Sequence, residues 1–147
     1  SSLAVYIDLS KAFDTISHST LLQKLVKYGI KGNALKWFES YLANRKLYVS
    51  VNGHVSQTIN IPNYGVPQGS ILGPLLFLIY IPDMPAALTN YCLLFADDTT
   101  IYETGINKTD LVHSVNKDLS KLTTWFNCNM LCHNVKKSNY MYFTRNK

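Results

Sequence analysis

Apolar positions along this chain alternate between strand-like runs and helical spacing. LAVYIDL (residues 3–9) is dense in apolar and β-branched residues, the pattern of a short strand closed by Asp8. HSTLLQKLVKYGI reads as a helix, with Leu21, Leu22, Leu25 and Val26 on one face and Gly29 suited to its C-terminal cap. A second helix is expected over ALKWFESYLANR. Asn33 would cap it, and Leu35, Phe38 and Leu42 form its apolar face beside Trp37 and Tyr41. KLYVSVNGHVSQTINI predicts a hairpin turning at Asn52-Gly53, since both residues tolerate positive φ. A Gly- and Pro-rich entry, NYGVPQGS, then leads into an apolar helix with Ser70 as cap and Pro82 as stop. CLLF and TTIYE flank Ala96-Asp97-Asp98 as a second tight hairpin. LVHSVNKDLSKLTTWF is amphipathic, burying Leu111, Val112, Val115, Leu119 and Leu122, and NYMYF alternates like an edge strand. The order predicts an α+β fold: a mainly antiparallel sheet with helices packed on one face.

Charge sharpens this picture more than composition does. The 147 residues are 47% hydrophobic, which fits one globular domain rather than a disordered chain. Net charge is +5, but its placement is uneven. Seven basic residues lie between Lys11 and Lys46, seven lie from Lys108 onward, and none lies between residues 47 and 107. The basic flanks suit a polyanionic partner, although solvated lysines on a basic domain give the same count. Three cysteines with no framework spacing suggest a reducing compartment, and Cys128-x3-Cys132-His133 lacks a fourth zinc ligand. The longest apolar run, ILGPLLFLIYI, has 11 residues, a core helix rather than a membrane span. Neither terminus carries an evident closing element, so the chain is expected to be cut from a longer protein.

Asp8 closes one strand, and Asp97 and Asp98 follow 89 and 90 positions later at a hairpin turn. If those strands are neighbours, three carboxylates converge and repel one another. A divalent cation resolves the repulsion. Oxygen-only ligation by Asp suits Mg²⁺, which keeps waters and takes further ligands from substrate phosphates. Two such ions support nucleotidyl transfer. Taken alone, the Asp-Asp dipeptide also suits an ordinary turn. Its apolar approach and the lack of any neighbouring Lys or Arg weigh against that. Asp14 reads as a helix-entry or turn contact rather than a ligand. In YGVPQGS, Gly65 and Gly69 flank Pro67 and Gln68 ahead of a helix N-terminus, where a nucleotide or nucleic-acid strand could approach the backbone. An ordinary loop entering a core helix reads the same way. Phe13, five residues beyond Asp8, is either a pocket wall or a core anchor.

Together these stretches resemble the palm of a reverse transcriptase, of the kind encoded by non-LTR (LINE-type) retrotransposons. VYIDLSKAFDTISH is similar to the first palm block, YGVPQGSILGPLLFLIYIPDM to the second, LLFADDTTIY to the catalytic hairpin and WFNCNMLCHNVKKSNYMYF to the block after it. Four blocks in order cover nearly the whole chain. The resemblance implies a partial polymerase palm over residues 1–147, with fingers and thumb largely missing. It implies Asp8, Asp97 and Asp98 as catalytic metal ligands for two Mg²⁺ ions, with Mn²⁺ able to substitute. It implies Phe13 as the gate against a ribose 2′-hydroxyl, Gln68 and Gly69 lining the template and nucleotide site, and Lys137 meeting the triphosphate. The implied activity is RNA-directed DNA polymerisation. An RNA template, a DNA primer and dNTPs are the implied partners, and the nucleus is the implied site of action. Pro82 stands where Asn is common in the family, and Cys132-His133 where an apolar and a small or polar residue are usual. The alternatives are an RNA-copying polymerase or nucleotide cyclase, which share paired Asp on a hairpin, and a degenerate palm that binds nucleic acid without catalysis.

Overall fold

A computed structural model describes residues 1–144 of the chain. The strands are β1 (Ser2–Ile7), β2 (Leu9–Ser10), β3 (Lys46–Leu47), β4 (Ser50–Val51), β5 (His54–Val55), β6 (Ile59–Asn60), β7 (Tyr91–Phe95), β8 (Asp98–Thr104), β9 (Cys132–His133) and β10 (Asn139–Phe143). The helices are α1 (His18–Lys27), α2 (Gly32–Leu42), α3 (Leu72–Tyr80) and α4 (Lys108–Cys128), with a 3-10 turn at Pro85–Ala87. They fall into two compact units. One comprises residues 1–12 and those from Tyr80 onward; the other comprises residues 13–79.

The first unit is built on a four-stranded antiparallel sheet in the order β10-β1-β8-β7. β10 forms an edge, as the alternation of NYMYF predicts. Leu3 and Ile7 on β1 and Ile101 on β8 are buried. α4 packs against this sheet through Leu111, Val115, Leu122 and Phe126, which recur at helical spacing and are buried. Asn107 starts the helix by accepting the Thr109 N–H at 2.9 Å. Val112, expected in that stripe, is exposed, and Leu119 is half-buried. The antiparallel α+β arrangement is therefore present.

The second unit holds α1, α2 and most of α3, with Ile16, Leu21, Leu25, Leu42, Leu76 and Phe77 buried. Ser17 caps α1, and Gly29 follows it at φ 88°. The expected cap of α2 is corrected. Asn33 lies inside the helix, and Lys31 occupies the cap position without a side-chain hydrogen bond. Gly32, at φ 60°, lets the chain enter the helix one residue earlier than Asn33 would. Ser70 accepts the Gly73 N–H at 3.0 Å at the start of α3. Asn52 and Gly53 both take positive φ, 49° and 81°, as a two-residue hairpin turn requires. Among the described residues no helix is long and apolar enough to cross a membrane.

One buried charge went unread in the sequence. Asp118 sits on α4 at 0% exposure. Its Oδ2 accepts the N–H groups of Thr89 and Asn90 at 2.8 and 2.6 Å, and its Oδ1 accepts from Lys121 at 2.9 Å. These bonds tie α4 to the entry of β7. Burial alone would raise the Asp118 pKa, but the hydrogen bonds from Asn90, Lys121 and Thr89 outweigh it and hold the carboxyl below its ordinary value. A depressed carboxylate pKa contributes stability above the unfolded-state value of about 3.9, and that stability is lost as pH falls through the folded value. Asp118→Asn should cost about 1–3 kcal/mol at neutral pH and remove this part of the acid sensitivity. Denaturant titrations of both proteins across acidic pH measure both effects.

Candidate functional site

The predicted site residues separate between the two units. In the first unit, β1 and β8 pair with Ile7 opposite Thr99. Asp8 follows Ile7 and Asp98 precedes Thr99, so both lie at the same end of neighbouring strands. Phe95 pairs with Asp98, which leaves Ala96-Asp97 as a two-residue hairpin loop. Ala96 sits at φ 52°, a left-handed conformation unusual for a residue with a Cβ. Asp97 therefore lies in a two-residue turn beside a left-handed Ala96, and Asp98 opens β8; the hairpin is as the sequence predicts, while the strain is visible only in the structure. Among the described residues, no group of three or more His, Cys, Asp or Glu is gathered so as to hold a metal ion. What the strands bring together is a set of hard oxygen donors at neighbouring strand ends.

Asp8 is clasped through its own backbone. Its N–H donates to Ser138 Oγ at 3.2 Å, and its carbonyl accepts the Asn134 N–H at 2.7 Å. Ser138 in turn donates to the Asn134 carbonyl at 2.8 Å. The loop carrying Lys137 is thereby fastened to Asp8, and Lys137 is exposed within it. Ser138 was missed in the sequence because a serine 130 positions away carries no local signal. His133, unusual for the block it stands in, stacks on Phe126 at 6.1 Å between ring centroids.

An apolar groove of about 510 Å³ lies between the sheet and α4, lined by Leu3, Val5, Ile7, Val115, Leu122 and Tyr140 among others. It is not the carboxylate site. Strand alternation directs Leu3, Val5 and Ile7 toward α4, whereas Asp98 shares the opposite face with Phe95, Leu93 and Tyr91, all exposed.

The second unit holds Phe13, Gln68 and Gly69. Segments 13–16 and 65–66 are zipped together: Gly65 N–H donates to Ile16 O at 2.7 Å and Val66 N–H to Phe13 O at 2.8 Å. Gly65 is at φ 74°, and a Cβ there would stand 2.9 Å from the Asp14 backbone. Its carbonyl accepts from His18 Nε2 and from Arg45, each at 2.7 Å. Burial lowers the His18 pKa and so favours the neutral ring; the hydrogen bond to Gly65 works against that shift. The Phe13 ring packs on Phe77 at 4.9 Å, tilted by 35°. Gln68 Nε2 donates to Asp14 Oδ1 at 2.8 Å. Asp14 stands in the turn ahead of α1, and its side chain also reaches across to the Gly/Pro loop. Gly69 is exposed at φ 77° with open space where a Cβ would be.

Both strain and crowding meet at Gly65. Gly65→Ala should destabilise the protein by about 1–3 kcal/mol, whereas Gly69→Ala meets only the backbone strain and should cost less. Thermal unfolding of the two variants separates these effects.

Residues 1–146 match the reverse transcriptase (RNA-dependent DNA polymerase) family. The chain is 30% identical over 146 residues to the probable RNA-directed DNA polymerase from transposon X-element of Drosophila melanogaster, covering 96% of this chain and 16% of that protein. It is 31% identical over 136 residues to the corresponding polymerase from transposon BS of the same organism, covering 83% and 14%. The chain therefore spans about one-sixth of the length of these relatives. Among solved structures, the apo telomerase of Candida tropicalis superposes with a TM-score of 0.73 at 12% identity, covering 95% of this chain and 28% of that one. At that identity the likeness shows a shared fold. On the family match and these relatives, the chain belongs to the reverse transcriptase family and is related to the polymerases of non-LTR retrotransposons.

Proposed function

We propose that this chain is the palm region of an RNA-directed DNA polymerase, acting in retrotransposition through a site built on Asp8, Asp97 and Asp98. The observation that carries this reading is the β1–β8 register, with Ile7 opposite Thr99 and acids at the adjoining ends. In the proposed reaction a primer 3′-hydroxyl attacks the α-phosphate of a dNTP paired to an RNA template, and pyrophosphate leaves. Bound Mg²⁺, held by Asp8 and Asp97 with Asp98 beside them, would supply neutralisation of the charge that develops on the phosphate. The clasp of Ser138 and Asn134 holds the Asp8 backbone, and so the strand end from which that carboxylate projects, which supports electrostatic preorganisation. Lys137, on the same loop, suits the triphosphate. Phe13, backed by Phe77 and tied to Val66, is stiff enough to serve as a steric wall against a 2′-hydroxyl. Gln68 and Gly69 present an open polar surface for the template and nucleotide. Template pairing selects the base, while the protein supplies geometry. Priming on nicked chromosomal DNA would put the reaction in the nucleus.

In the full-length polymerase containing this chain, Asp97→Asn should reduce primer extension on an RNA template by at least about 1,000-fold with the fold intact. Extension unchanged by that substitution overturns the reading. Phe13→Ala should raise rNTP use relative to dNTP use, and an unchanged ratio in single-nucleotide incorporation removes the gate role. The 147-residue chain alone is expected to show little or no incorporation.

A further inference from the structure

Asp14 stands in the turn ahead of α1, near enough to Arg45 for the two charges to attract. It is exposed, it precedes α1 by several residues, and its carboxylate meets the side chain of Gln68, 54 positions away. The backbone on both sides of this contact is fixed. The 13–16 and 65–66 segments are zipped by two hydrogen bonds, Gly65 is pressed against the Asp14 backbone, and the Gly65 carbonyl is held by His18 and Arg45. Neither partner can therefore drift far from the other. An ionised carboxylate only accepts hydrogen bonds, so the amide nitrogen of Gln68 is the end that faces Asp14. The Gln68 Oε1 is then turned away from Asp14. Without that contact the amide could rotate and offer either end.

We propose that Asp14 is a positioning residue that sets the polarity of the Gln68 amide, so that Gln68 presents a hydrogen-bond acceptor to its ligand. This rests on the reading of Gln68 as part of the template and nucleotide site. The ligand group that meets Gln68 Oε1 is accordingly a donor, a hydroxyl or amino group of a nucleotide. Selection follows from the same polarity: a nucleotide lacking that donor leaves Oε1 without its partner, and a group that itself accepts is repelled. Asp14 acts through orientation alone and touches no reacting atom.

The test is a swap of polarity in the full-length polymerase. Asp14→Ala should raise the KM for dNTP, lowering kcat/KM roughly 10-fold with a smaller change in kcat. Gln68→Glu sets two carboxylates against each other and should lose more. The double variant Asp14→Asn with Gln68→Glu restores a hydrogen bond, now donated by residue 14, and keeps an acceptor facing the ligand. It should recover kcat/KM to within about fivefold of wild type. Both positions are exposed, so the variants should fold, and circular dichroism melts check that they do. Recovery in the double variant supports the proposal. Additive losses with no recovery overturn it while wild type still extends primers and Asp97→Asn does not. If wild type fails to extend primers, or Asp97→Asn extends them normally, the polymerase reading fails and this proposal falls with it.

Discussion

The pairing of β1 with β8 is the constraint on which the first unit depends. Five residues of β1 also pair with β10, so β1 is hydrogen-bonded on both sides and its register cannot slip without exposing Leu3 and Ile7. That register brings the end of β1 beside the start of β8 and so sets Asp8 next to the Ala96-Asp97 loop. α4 buries the other face of the sheet, and Asp118 fastens it to the strand that leads into the hairpin.

The second unit solves a different problem with a backbone zipper. A glycine at positive φ lets segment 65–66 lie directly on segment 13–16, closer than any side chain would permit. Two donors then converge on one carbonyl, Gly65 O, which satisfies a buried acceptor and also rigidifies the loop. Phe13 and Gln68, far apart in sequence, become parts of one rigid piece.

Local pattern made most of the elements legible. The helical spacing of Leu111, Val115 and Leu122, the Asn52-Gly53 turn and the apolar run into Asp97-Asp98 each carry their own signal within a few residues. The misses were of another kind. Asn33 has the right chemistry for a cap, but Gly32 lets the helix begin earlier. Val112 falls near the apolar stripe, yet it stays exposed while Leu111 and Val115 are buried. Asp118 carries no local signal, because nothing near it in sequence announces the Thr89 and Asn90 amides.

By itself the sequence determined the elements, the antiparallel α+β class and the ordered blocks that mark the family. These are local or linear properties, fixed by periodicity, turn chemistry and the order of motifs along the chain. Only the tertiary structure decided which of those residues act on one another. It set Asp8 beside the hairpin through strand register, gave Asp8 its clasp from Ser138 and Asn134, and joined Asp14 to Gln68. Such contacts span 54 to 130 positions. They arise because burying the sheet and closing the Gly65 zipper leave the backbone one place to go, and no short stretch of sequence encodes that.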